Sequence, residues 1–360
     1  MNRRTLTVMA LLALAFALIA CQPAAATPVP PPQAPAESTK PAPKPEKLTV
    51  LCGAQEDWCQ AMTKAFEAET GVKTSFVRMS SGEALARIRA TKDSPEFSIW
   101  HGGPADGYIA ATNEGLLVAY DSPSAAKIPA SYKDANGHWN GVYVGALGFC
   151  SNKDVLARLG VATPTSWADL LNPKLKGQVS MAHPASSGTA YTALWTQITL
   201  NGGDVDKGFA YFRNLHNNIL QYTKSGSAPG QMAGRGEVAT AVIFSHDCVK
   251  FNEEGMNSLV VSFPSEGTGY EIGGVAIIKG GPEQEAAKMY VDWALTSKAQ
   301  EIPPTVKSYQ LPTNPDASVS AKSVKLSEVK TVEYDFIKSG EQKSGLAERF
   351  DSEIAPAPKQ

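Results

Sequence analysis

The sequence predicts an α/β protein built as two lobes, and three observations carry that prediction. From residue 47 onward, short β-rich runs alternate with segments whose apolar residues recur at helical spacing, the mark of repeated βα units on a largely parallel sheet. Second, the chain has 360 residues, and the body after residue 46 is still longer than one core comfortably fills. Third, two runs rich in glycine and aliphatic residues, Val142–Phe149 and Gly273–Ile278, read as a strand leaving one lobe and a strand returning to it.

The elements follow in order. Lys47–Cys52 is a β-rich run. Asp57–Thr70 carries Trp58, Met62, Ala65 and Phe66 on one helical face and ends at Gly71, a residue suited to the left-handed C-terminal cap. Val72–Met79 is a strand, and Ser80-Ser81-Gly82-Glu83 opens a helix through Ala90. Phe97–Trp100 is a third strand, ending at His101-Gly102-Gly103. Beyond the first crossing come helices over Lys153–Leu159 and Pro164–Leu171, a strand over Gln178–Ala182, and a helix opened by Ala185-Ser186-Ser187-Gly188-Thr189 through Leu200. Ile219–Tyr222 is a strand, and Ser225-Gly226-Ser227 opens the next helix. Ala239–Phe244 is a buried strand ending at Ser245-His246-Asp247, and an amphipathic helix runs from Pro282 to Thr296. No internal repeat is present.

The N-terminus precedes this body with targeting signals. Arg3 and Arg4 are followed by an apolar run, Leu11–Ala20, that is too short to span a bilayer, and then by Cys21. A charged start, a short apolar segment and small residues at a cysteine read as a signal peptide over 1–20 with lipidation of Cys21. Residues 21–46 are almost wholly Pro, Ala and polar residues; they are read as a semi-rigid spacer without a core. An extracytoplasmic, membrane-tethered location in the cell envelope is therefore expected.

Composition excludes some functions. A net charge of −2 offers no basic footprint for nucleic acid. Four cysteines remain after Cys21, namely Cys52, Cys59, Cys150 and Cys248, and an even number in an oxidising compartment favours two disulfides. Of the three possible connectivities, Cys52–Cys59 closes the short local loop and leaves Cys150–Cys248. Free thiols or a metal site are the alternatives, and no Cys-x-x-Cys spacing supports the metal.

Three places share one design: Ser81-Gly82, Ser186-Ser187-Gly188-Thr189, and Ser225 with Ser227 around Gly226. Each follows a strand and opens a helix, where free backbone N–H groups and the helix dipole attract an anion. Plain N-capping accounts for any one of them. Three together, at the carboxyl ends of strands, point to a phosphate site. His246, Asp247 and Glu271 supply donors and acceptors suited to sugar hydroxyls. A hydrolytic triad could be drawn from His246, Asp247 and a serine, but no Gly-x-Ser-x-Gly elbow is present. His101 is a further possible site residue. With His138 and a carboxylate such as Glu83 it could bind a metal, but the histidines are scattered, so no metal and no cofactor are expected.

The runs Asn152-Lys153-Asp154, Pro164-Thr165-Ser166-Trp167, Lys176-Gly177, Pro184–Tyr191 and Pro264–Glu271 resemble the extracellular solute-binding proteins of ABC importers, in the ferric-iron and 2-aminoethylphosphonate branch. Within it the chain looks most similar to AfuA-type sugar-phosphate binders. The resemblance spans about residues 48–315. It implies a two-lobe, periplasmic-binding-protein-like fold (type II) with a ligand cleft between lobes joined by crossing strands, and no enzymatic activity. It also implies phosphate held by Ser81, Ser186, Ser187, Thr189, Ser225 and Ser227, and sugar held by His246, Asp247 and Glu271. The iron-binding relatives carry a Tyr-Tyr pair that this chain lacks. The expected partners are a small anionic ligand, most simply a hexose phosphate, an ABC permease, and the membrane through the lipid; the protein is expected to be a monomer. Lobe 1 is expected to comprise 47–143 and 272–355, and lobe 2 to comprise 144–271.

Overall fold

The computed structural model describes residues 45–358; the expected signal segment, Cys21 and nearly all of the spacer lie outside those residues. The strands are β1 (Lys47–Cys52), β2 (Lys73–Arg78), β3 (Ile99–Pro104), β4 (Leu117–Val118), β5 (Asn140–Asn152), β6 (Val179–Ala182), β7 (Ile219–Thr223), β8 (Thr240–Phe244), β9 (Leu259–Ser262), β10 (Tyr270–Ile278) and β11 (Leu311–Pro312). The helices are α1 (Glu56–Thr70), α2 (Ser81–Ala90), α3 (Ala105–Asn113), α4 (Lys153–Leu159), α5 (Gly188–Leu200) and α6 (Val205–His216), then α7 (Ala228–Gly234), α8 (Ser245–Glu253), α9 (Gln284–Ala294), α10 (Ser297–Gln300) and α11 (Phe336–Glu353).

The strands run in the order β2-β1-β3-β10-β5-β8-β6-β7. β1 is parallel to β2 and β3, and β6 is parallel to β7 and β8. β10 is antiparallel to both β3 and β5. The long strand β5 joins the two halves. Its residues Asn140–Ala146 pair with β10, and its residues Leu147–Ser151 pair with β8. Every residue of β5 is buried, as a strand covered on both faces requires. The chain returns through Tyr270, the first residue of β10, so the two anticipated crossings are present.

Apolar clusters cover the faces of both halves. Trp58, Met62 and Phe66 of α1 pack with Tyr290 and Val291 of α9 on one face of the first half, while Leu85, Trp100 and Tyr108 form the core on the other. In the second half Phe149, Leu194, Phe209 and Phe212 form the main core, with Met232, Ile243 and Phe251 opposite. The C-terminal helix α11 packs along α3 and inserts Phe350 into the core of the second half, so it bridges the two.

Both disulfides form, Cys52–Cys59 and Cys150–Cys248. The first ties β1 to α1, and the second ties β5 to α8. Each therefore anchors a helix whose first residues reach the region between the halves.

Several elements differ from the sequence expectation. The Pro164–Leu171 segment is not a capped α-helix but ends in a short 3₁₀ turn, Ala168–Leu171. The Asp169 carboxylate accepts from the backbone N–H groups of Thr165 and Ser166, holding a tight turn that competes with helix. β3 runs on through His101-Gly102-Gly103 to Pro104, because Gly102 and Gly103 take φ values of 85° and 92° that glycine tolerates within a bent strand. α3, α6, α8, α10 and α11 were not anticipated. In α8 the strand-end reading of His246-Asp247 hid a helix that starts at Ser245 with no loop after β8.

Candidate ligand-binding cleft

The carboxyl ends of β1, β2, β3, β6, β7 and β8 all open into one cleft between the halves, where ligands sit in open α/β sheets. At one end α2 and α5 meet nearly head to head. The N–H of Gly188 donates to Ser81 Oγ at 2.9 Å, and the N–H of Gly82 donates to the Ser186 carbonyl at 2.9 Å. Ser80 Oγ donates to the carbonyls of Ser186 and Lys224. This approach needs glycine: a Cβ on Gly82 would collide with the Ala185 carbonyl, and one on Gly188 would lie 2.6 Å from Ser81 Oγ. Ser187, the N-cap of α5, makes no side-chain capping bond, so its hydroxyl is available to a ligand. Ser81, Ser187, Thr189 and Ser227 line the cleft here.

Arg78 reaches into the same end. Its Nη2 donates to Ser225 Oγ at 3.1 Å, and its Nε donates to the Ala54 carbonyl at 3.2 Å. One guanidinium, two helix starts and several hydroxyls thus converge where an anion would be stabilised.

The other end is polar but differently charged. His246 and Asp247 are the second and third residues of α8. The His246 Nε2 stands 3.8 Å from Asp247 Oδ1 and 3.7 Å from Glu271 Oε1. Gly145 of β5 lies against the imidazole, where a Cβ would come within 2.6 Å of Nδ1. Gln55 Nε2 donates to Asp247 Oδ1 at 2.8 Å, joining the start of α1 to the start of α8. Burial lowers the pKa of His246 against the opposing pull of Asp247. Burial, then the charges of Asp247 and Asp106, push Glu271 well above the carboxylate range. At neutral pH this end therefore presents a neutral imidazole beside a carboxyl whose charged form burial disfavours. Tyr143 beside them accepts from the N–H of Gly103 at 3.0 Å.

The structure brings Ser81, Ser187, Thr189, Ser227, His246, Asp247 and Glu271 together around one space. Gly82, Ser186, Gly188 and Ser225 stand just behind it: the Gly82 and Gly188 N–H groups, the Ser186 carbonyl and the Ser225 hydroxyl are spent on contacts across the cleft, and the Ser186 hydroxyl on the His183 and Lys224 carbonyls of its own side. His101 does not reach the cleft; it is buried beneath it, beside Trp58 and Tyr290. His138 pairs with Asp134 at 2.9 Å in a loop.

Sequence reasoning missed Arg78, Gln55, Tyr143 and Gln310, all of which line the cleft. The sequence reading built the anion site from backbone N–H groups and hydroxyls, and Arg78 adds a guanidinium to them. A signal existed for Arg78: it lies in the β-rich run 72–79, three residues before the helix that opens at Ser81. Gln310 carries no such local signal, since it arrives from a distant segment.

The family model for bacterial extracellular solute-binding proteins matches residues 61–331. The chain belongs to that family. This solute-binding protein superposes on AfuA of Actinobacillus pleuropneumoniae, solved with exogenous fructose-6-phosphate bound, with a TM-score of 0.83 and 40% identity, over 86% of this chain and 98% of that one. It is 39% identical over 316 residues to an uncharacterized protein of Haemophilus influenzae, covering 86% of this chain and 90% of the relative. It is also 25% identical over 261 residues to a putative 2-aminoethylphosphonate-binding periplasmic protein of Salmonella typhimurium, covering 69% of this chain and 72% of that protein. This solute-binding protein therefore has the two-lobe fold of ABC-importer receptors, with its cleft between lobes joined by crossing strands, and is of the periplasmic type.

Proposed function

We propose that the protein captures a small phosphorylated solute, a hexose phosphate, and delivers it to the permease of an ABC importer while tethered to the membrane by a lipid on Cys21. Removal of the signal over 1–20 and a spacer over 21–46 would leave the body free to reach the permease. The lobes are taken as 47–143 with 272–355, and 144–271, with α11 strapped across both. The protein acts as a monomeric receptor, not as an enzyme.

One observation carries this reading: the cleft is bipolar. The end with Arg78, Ser81, Ser187, Thr189 and Ser227 suits a dianionic phosphate. The end with His246, Asp247 and Glu271 suits neutral hydroxyls. A ligand bridging the two would hold the lobes shut and exclude water, which strengthens each polar contact. A second reading, a small phosphonate, is favoured by the tightness of the closed cleft. It retains about 50 Å³, a few waters' worth on the scale where one water needs about 10–15 Å³.

Calorimetric titration with fructose 6-phosphate, inorganic phosphate, 2-aminoethylphosphonate and ferric citrate tests this. The hexose phosphate should bind at least tenfold more tightly than phosphate, the equivalent of one or two added hydrogen bonds at roughly 1 kcal/mol each. Preference for the phosphonate would select the second reading, and preference for ferric citrate would defeat both.

A further inference from the structure

Behind the cleft, on the α1 side, lies a small cavity lined by Trp58, His101, Tyr143, Gln300 and Gln310 among apolar neighbours; the Gln300 amide is already bonded to Ala294, Thr313 and Asn314. Tyr143 and Gln310 also line the cleft itself, so the two spaces share a wall. Its volume is about 10 Å³, close to the least that holds one water and too little for an organic ligand.

Three polar atoms of the residues that line it meet no partner among the described residues: Trp58 Nε1, His101 Nε2 and Gln310 Oε1. Their side chains are deeply buried, with Trp58 2% exposed, His101 1% and Gln310 8%. Three orphaned polar atoms around one such space are costly unless something satisfies them.

Proton counting then fixes what each can do. Trp58 Nε1–H can only donate. Burial lowers the pKa of His101 to about 4, so the ring is neutral at pH 7 and carries one proton. The Tyr290 hydroxyl lies 3.3 Å from its Nδ1; with that hydroxyl donating, the ring proton sits on Nε2. Trp58 and His101 are then both donors, and together they fill the two lone pairs of a single water. The third partner must accept, and Gln310 Oε1 does so.

We propose that this cavity is a structural-water site in which one buried water accepts from Trp58 and His101 and donates to Gln310 Oε1, turning the Gln310 amide NH₂ toward the cleft. Gln310 thereby becomes a specificity residue. It offers donors only, so it favours a ligand oxygen in front of it and rejects an ammonium or hydroxyl hydrogen. The water site stands whichever solute binds; the specificity role rests on the proposed function.

A high-resolution crystal structure of the ligand-free protein should show one ordered water bonded to all three atoms. Water-to-indole cross-relaxation in solution should single out the Trp58 N–H, assigned through Trp58→Phe. A dry cavity, or no such transfer, overturns the site without reference to any ligand. With the water in place, Gln310→Met should weaken fructose 6-phosphate binding roughly three- to tenfold, the loss of one hydrogen bond. Gln310→Glu should weaken it further, because a carboxylate can accept from the water but meets the ligand oxygen as an acceptor. Wild-type affinity in both variants overturns the specificity role. Failure of the wild-type protein to bind any phosphorylated probe overturns the proposed function, and the density still decides the water.

Discussion

The two ends of the cleft solve different problems with different materials. At the anion end, backbone and small hydroxyls meet across the lobes, and glycines at 82 and 188 let two helix starts approach to hydrogen-bonding distance. The one formal charge is Arg78. At the opposite end stand larger titratable side chains, His246, Asp247 and Glu271; burial lowers the pKa of His246 and raises that of Glu271. The first end depends on shape at the level of the main chain, so any added atom is felt at once. The second depends on protonation, so it responds to pH and to substitution of single functional groups. Under the proposed function, the contrast makes closure and discrimination separable by substitution.

The largest expected effect comes from breaking the close approach. Gly82→Val should abolish ligand binding, more than 100-fold by titration calorimetry, because its side chain would strike backbone of the Ala185–Ser186 segment. Since the clash exists only across the closed cleft, the melting temperature of the ligand-free protein should change little; a large drop would show that the contact is structural in the open form too.

The next effect sets the ends against each other. Arg78→Met should weaken inorganic phosphate and hexose phosphate alike, each by roughly tenfold to a hundredfold, the range for one charge-assisted bond. Asp247→Ala should weaken the hexose phosphate by about tenfold and leave inorganic phosphate nearly unchanged, since only a hydroxyl contact is lost. Equal losses for both ligands in Asp247→Ala would erase the division of labour.

The last effect concerns stability instead of affinity. His101 has its folded pKa lowered to about 4 by burial. Between that value and its unfolded value near 6.5, the unfolded chain binds a proton that the native state refuses. Stability therefore falls as pH drops through this window, by up to about 3 kcal/mol from this residue. Denaturant melts at pH 7 and pH 4.5 should show a smaller difference for His101→Asn than for the wild type. Glu271 acts in the opposite sense: its folded pKa is raised, so its protonated form favours the native state at low pH and this contribution fades as pH rises. The comparison between variant and wild type isolates the histidine from it.

Much of this architecture is legible locally. The Trp58, Met62 and Phe66 stripe, the Gly71 cap and the Ser80–Glu83 capping box are short-range patterns, and the structure places α1 and α2 on them. Helix starts rich in serine are visible for the same reason. Arg78, Tyr143 and Gln310 were not legible as one site, because nothing along the chain links positions 78, 143 and 310. His101 was misplaced because a histidine after a strand looks the same whether the following glycines turn it toward solvent or into the core.

By itself, the sequence determined many of the strands and helices, α1, α2, α5 and β8 among them, the local Cys52–Cys59 pair, and the serine-rich helix starts; these depend on interactions a few residues apart. Tertiary structure alone decided that β5 changes partners between Ala146 and Leu147, that two helix starts meet, and that burial raises the pKa of Glu271. Those outcomes depend on which distant atoms come within a few ångströms and how much water they exclude, and that distance is set only when the whole chain has packed.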